Sequence, residues 1–128
     1  MSEARRRRGA EARLSGRRAE VLAALWLMAR GYRILGFRLK TPQAEIDLLA
    51  RRGQVLAVVE VKARASLDTA LEAVSLNQRQ RLRRAGSALA AWRSDLAGVK
   101  VRLDLVALAP GRWPRHVADA WREDTQLG

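Results

Sequence analysis

Ala44-Glu45-Ile46-Asp47-Leu48-Leu49-Ala50, then Arg51-Arg52-Gly53-Gln54, then Val55-Leu56-Ala57-Val58-Val59-Glu60-Val61-Lys62-Ala63: two apolar runs meet across a glycine-containing turn. This reads as an antiparallel hairpin in the core of a sheet. Charges inside such strands are costly unless something pairs with them. In a strand, residues two apart share a face. Glu45 and Asp47 are therefore expected to point one way, and Glu60 and Lys62 together from the partner strand. Three carboxylates and one amine could converge on one patch.

That set of groups suits phosphodiester hydrolysis, which needs an activated water, a counter-charge for the phosphorane and help for the leaving oxygen. Magnesium or manganese supplies these and prefers carboxylates, carbonyls and water. Asp47 and Glu60 are the expected ligands, with the Val61 carbonyl as a further one. Lys62, about 6.6 Å along the strand from Glu60, would sit beside the scissile phosphate, where burial can tune its point charge. With 13 acids and only three lysines in 128 residues, an acid-x-Lys triplet is a weak signal by itself. The competing reading is an edge-strand ion pair between Glu60 and Lys62.

Outward from the hairpin, charge is the next strong statement. Lys and Arg number 25 against 13 acids, a net +12, and 22 of the 25 are arginine. A field of that sign implies a polyanion, with nucleic acid ahead of a membrane surface. An arginine-rich coding bias is the competing explanation. The 48% hydrophobic content fits a folded single domain. There is no cysteine, which excludes disulfides, thiolate zinc sites and cysteine nucleophiles. No apolar run approaches a membrane span and no signal peptide is evident, so a cytoplasmic location is expected.

Residues 1–15, with Arg5-Arg6-Arg7-Arg8, read as a flexible basic arm that grips DNA or simply stays solvated; residues 16–128 form the single domain. A first helix is predicted from Gly16 to Arg30 with Ser15 as N-cap. Beyond Glu20 it is apolar nearly all round, which predicts burial, and Gly31 ends it. Tyr32–Leu39 reads as a strand before the Thr41-Pro42-Gln43 break, and 64–73 as a loop. Ser75-Leu76-Asn77-Gln78 fits a capping box opening a helix to Arg93, with Leu82, Ala85, Leu89 and Trp92 on one face. Val99–Ala109 is a strand and His116–Trp121 a short last one. The order is α-β-β-β-α-β with a candidate extra strand.

Gly16-x-x-x-Glu20, Gly31-Tyr32-Arg33-Ile34-Leu35, Glu45-Ile46-Asp47-Leu48-Leu49-Ala50, Val59-Glu60-Val61-Lys62-x-Arg64 and Arg102-Leu103-Asp104 together resemble the YraN family of small bacterial proteins, within the PD-(D/E)XK nuclease superfamily. The resemblance covers roughly residues 14–110. It implies an α/β, restriction-endonuclease-like core, a mixed sheet flanked by helices, similar to archaeal Holliday-junction resolvases. It also implies that Glu20, Asp47, Glu60 and Lys62 match the active-site acids and lysine, with Glu45 close by. Without it, Glu20 reads as an acid favoured by the helix dipole. Two positions depart from the family: Ala44 stands where Gly is usual, and Gln78 where Lys is usual.

The resulting expectation is a metal-dependent endonuclease acting on DNA, with branched or recombining DNA as candidate substrate. Arg5, Arg6, Arg7, Arg8, Arg64, Gln78, Arg79 and Arg83 are the candidate nucleic-acid contacts. Cutting both strands of a junction would call for a homodimer. The alternatives are a non-catalytic nucleic-acid-binding module of the same fold and a basic scaffold on RNA or another acidic partner. His116 has no partner histidine for triad or zinc chemistry. Trp26 and Trp92 fit helix cores. Trp113 and Trp121 have faces for base stacking, though packing is the expected role. Asp104 reads either as an arginine's partner or as an acid behind the metal site.

Overall fold

The hairpin closes at Gly53-Gln54, where Arg52 pairs with Val55, and runs antiparallel through Leu48↔Val59. In a computed structural model of the chain, which describes residues 3–126, it forms the centre of a five-stranded sheet. The elements are α1 (Glu3–Ala29), β1 (Arg33–Lys40), β2 (Glu45–Arg52), β3 (Val55–Ala63), α2 (Leu67–Glu72), α3 (Leu76–Trp92), a 3-10 turn at Ser94–Leu96, β4 (Lys100–Leu108), β5 (Arg115–Val117) and α4 (Glu123–Gln126). The sheet order is β1-β2-β3-β4-β5. Only β3 and β4 are parallel, and the chain crosses between them through α2 and α3. This is the α/β, helix-flanked mixed sheet that the sequence predicts.

Because strand side chains alternate, the two faces build separate cores. Ile46, Leu49, Leu56, Val58, Leu103 and Leu105 pack with Leu82 and Ala85 of α3 and Ala70 of α2. Leu48, Ala50, Ala57, Val59 and Val106 pack with Ala23, Ala24 and Leu27 of α1. The alternation slips once, on β2. Ile46 and Leu49 share the α3 face while Leu48 lies on the α1 face, so the irregularity falls at Asp47, where the ladder with β3 also stops.

Four expectations are corrected. α1 begins at Glu3, so Ser15 lies inside the helix and not at its N-cap; the stretch Glu3–Leu14 is rich in Ala, Arg and Glu, all strong helix formers. Met1 and Ser2 and the side chains of Arg5–Arg8 lie outside the described residues. α1 is also not buried all round. Val21, Leu22, Leu25 and Met28 are each more than half exposed, because a helix lying on one sheet face covers a single stripe, here Ala19, Ala23, Ala24 and Leu27. Within 64–73, α2 forms behind a capping box in which Ser66 and Thr69 exchange bonds; threonine stands where Glu or Gln usually marks this motif. Trp92 is 87% exposed, since α3 ends there and the chain turns away.

Elsewhere the predicted boundaries hold within a residue or two, except that the last strand, expected over His116–Trp121, is only Arg115–Val117, because the chain turns at Asp119, which takes φ +51°. Gly31, at φ +90°, ends α1 as its N–H bonds Met28 O and Tyr32 N–H bonds Leu27 O, a turn that favours glycine. Ser75 caps α3 by accepting the Gln78 N–H. Trp121 is packed as expected, buried with Nε1 donating to Leu71 O.

Candidate functional site

The ends of β2 and β3 and the middle of α1 enclose an open cleft of about 460 Å³, lined by Gly16, Ala19, Glu20, Asp47, Val61, Lys62, Ala63 and Arg64. The slip at Asp47 creates it. The Asp47 carboxylate accepts the Val61 N–H at 2.9 Å, replacing a ladder bond with a side-chain bond. Glu60 lies directly beside this contact, 4% exposed, with Lys62 Nζ 3.7 Å from its carboxylate.

Both carboxyls are displaced from their ordinary values. Burial pushes Asp47 upward, against the pull of the Val61 N–H and Lys62. Burial and then the Asp47 charge push Glu60 up to about 7, with Lys62 opposing. Two carboxylates in a low-dielectric corner, each raised in part by its acidic neighbours, carry more negative charge than Lys62 offsets. A hard divalent cation would relieve that, and magnesium is commonly held by one or two carboxylates plus substrate oxygens. Asp47 and Glu60, with the Val61 carbonyl adjacent in the chain, are the residues that fit.

Glu20 enters the same cleft but is already paired. Arg38 Nε bonds both of its carboxylate oxygens, at 3.0 and 2.8 Å. Arg38 does so from a left-handed backbone, φ +48°, sparsely populated for a residue with a Cβ. Among the described residues no group of three acidic or histidine side chains is gathered to hold a metal ion. Glu45 is exposed at the start of β2.

The expected nucleic-acid contacts separate into two groups. Arg64 is exposed at the cleft, and its guanidinium donates to Ala63 O. Arg79 and Arg83 are instead drawn to the C-terminal turn: both bond the Asp124 carboxylate, and they also reach Val74 O and Trp121 O. Gln78 is half-buried beside its cap.

Asp104 is an arginine's partner. It is fully buried on β4 and accepts two bonds from Arg102, one from Asp119 N–H and a contact from His116 Nε2 at 2.8 Å. Burial alone would raise its carboxyl, but His116, Arg102 and Asp119 more than offset this and hold it below the usual range. Arg102 also donates to the Tyr32 hydroxyl, so the network ties β4 and β5 to the segment that follows α1. The signals that reasoning from sequence missed are Arg38 and this use of His116, both of which depend on contacts distant along the chain.

A family model described as Uncharacterised protein family UPF0102 matches residues 19–108, the span that holds every cleft residue except Gly16. A UPF0102 protein of Caulobacter sp. (strain K31) is 73% identical over 114 residues, 89% of this chain and 82% of its own length. One from Caulobacter vibrioides (strain NA1000 / CB15N) is 67% identical over 117 residues, covering 91% and 94% of the two chains. A third, from Parvibaculum lavamentivorans, is 53% identical over 107 residues, 84% and 80% of the two.

Proposed function

This chain belongs to the UPF0102 family, and we propose that it is a metal-dependent endonuclease that hydrolyses DNA phosphodiester bonds at the Asp47–Glu60–Lys62 cleft. The observation that carries this reading is the half-buried Asp47 beside the buried Glu60, both raised and incompletely offset by Lys62. A divalent cation bound there would supply Lewis-acid stabilisation of the phosphate and a more acidic water. Asp47 and Glu60 hold that position, Asp47 oriented by the Val61 N–H. Lys62 stands where it can contact a non-bridging phosphate oxygen, and the exposed Arg64 holds the backbone that enters the cleft. The net charge of +12 draws the polyanion in.

Purified protein is expected to nick labelled DNA with magnesium or manganese, with branched DNA the first substrate to try. Asp47→Ala and Glu60→Ala should each lower the rate by 100-fold or more, within the range typical of lost catalytic groups. Cutting that survives both substitutions would sink the assignment.

A second reading has its own observation. Glu20 is held by Arg38, and no three-acid group is assembled among the described residues. That favours a binding module that keeps the acids without cutting. It expects no heat of manganese binding that depends on Asp47 and Glu60, whereas the nuclease reading expects one.

A further inference from the structure

Further along α1 from Glu20, Trp26 is one half of an aromatic pair. Trp26 and Trp113 lie with ring centroids 5.8 Å apart and planes tilted by 31°. Trp113 is 80% exposed. A tryptophan offers a large apolar surface, and a packing role would cover it. The Trp26 Nε1 is buried and has no hydrogen-bond partner among the described residues, and the Arg30 guanidinium sits 5.8 Å from the Trp26 ring centroid. Trp113 borders a small cavity with Arg64, Arg112 and Arg115. These three arginines are exposed, and among the described residues none of them meets a carboxylate.

Position turns this patch into more than a basic surface. Arg64 lines both the Trp113 cavity and the cleft of Glu20, Asp47 and Lys62. A single arginine therefore bridges the aromatic pair and the acid site. Trp92 makes the contrast: it is as exposed as Trp113, but its hollow is lined by Lys40, Thr41, Pro42, Gln43, Ala85, Ala88 and Leu89, with no ring or arginine.

We propose that Trp113, backed by Trp26, is a stacking platform for an unpaired DNA base, with Arg64, Arg112 and Arg115 holding the adjoining phosphates. A base inside a duplex has both faces covered by its neighbours; only an unpaired base can present one to an exposed ring. The strand so held leads past Arg64 into the cleft. As a statement about where cutting falls, beside unpaired nucleotides, this rests on the nuclease reading above. As a statement about binding it does not.

The test separates the two. Anisotropy of a labelled oligothymidine, in chelator at fixed salt, measures binding without cleavage. Trp113→Ala should weaken it about 5- to 150-fold, the range of one lost base stack. Trp113→Phe should restore most of the affinity, and Trp92→Ala should change nothing. A blunt duplex of equal length should respond to Trp113→Ala by less than about 2-fold, and an unchanged thermal melt confirms that the variant is folded. Equal single-strand binding by wild type and Trp113→Ala would overturn the platform, as would equal losses on single strand and duplex. Tighter binding of oligouridine than of oligothymidine would overturn DNA as the ligand. Absence of metal-dependent cutting alongside a selective Trp113 effect removes the nuclease and leaves the platform. Cutting by both proteins without regard to unpaired bases does the reverse.

Discussion

Glu60 has a carboxyl that titrates at about 7 in the folded chain, against 4.5 ordinarily. A group raised on folding contributes stability below its unfolded pKa and loses it as pH rises through the folded one. In chelator, Glu60→Gln should thus match wild type near pH 4 and gain on it between about 4.5 and 7. Above that window it should be more stable by up to roughly 3 kcal/mol, since each pKa unit corresponds to about 1.4 kcal/mol. Urea unfolding across that range measures it, and a gap that does not widen with pH would show that the buried charge is not what limits stability there. Asp47, Glu60 and Lys62 are legible from the sequence because carboxylates and a lysine in apolar strands have few uses and strand parity places them near one another. Parity also puts Glu45 with Asp47, and the Glu45 charge does help to raise both Asp47 and Glu60, although Glu45 itself is exposed at the start of β2. Spacing could not reveal that Glu20 is paired, since the Glu20–Arg38 contact needs a left-handed arginine 18 residues away.

Within the elements, α3 meets the sheet closely at Gly86. A Cβ there would lie 2.6 Å from Val58 Cγ2 and 2.8 Å from Val101 Cγ1. Both are branched methyls set into the packed α3 face of the sheet, so they have little room to retreat. Alanine would favour the helix by about 1 kcal/mol, but overpacking of this kind costs typically 1–3 kcal/mol. Gly86→Ala is therefore expected to lower the unfolding free energy despite its better helix propensity, as denaturant melts would show; a rise would mean that α3 can shift outward. The strands and α3 were readable because their apolar periodicity and caps are local. α2 was not, because its capping box uses Thr69 in place of Glu or Gln. The face of α1 was not either, since Val21, Leu22, Leu25 and Met28 read as core until the sheet beneath proves wide enough to cover only an alanine-rich stripe. No helix among the described residues is long and apolar enough to cross a membrane.

For the whole molecule, the question about its +12 charge is where that charge is free. Arg79 and Arg83 hold Asp124, whose carboxyl their bonds bring below its ordinary range although burial opposes them. Arg64 is exposed at the cleft, and Arg112 and Arg115 are exposed around the neighbouring Trp113 cavity. Single-strand affinity should fall steeply with salt, and Arg64→Gln should reduce the slope of log K against log salt by about 0.7, the share of one phosphate. Arg79→Gln should leave the slope alone and lower the melting temperature. Equal slope changes for the two would mean that composition, and not placement, governs binding. Sequence counting could not make this distinction, because Asp124 lies about 40 residues from both arginines. The linear strand order has a further consequence, for self-association. Both sheet margins are blunted. β1 presents Arg33, Arg38 and Lys40 around a register shift between Ile34 and Gly36, and β5 is only three residues long. Charged, bulged or very short outer strands resist templating by another chain. Copies of this protein are thereby guarded against edge-to-edge aggregation, so continuing the sheet is a disfavoured way for them to pair, whereas α1 leaves Val21, Leu22, Leu25 and Met28 uncovered.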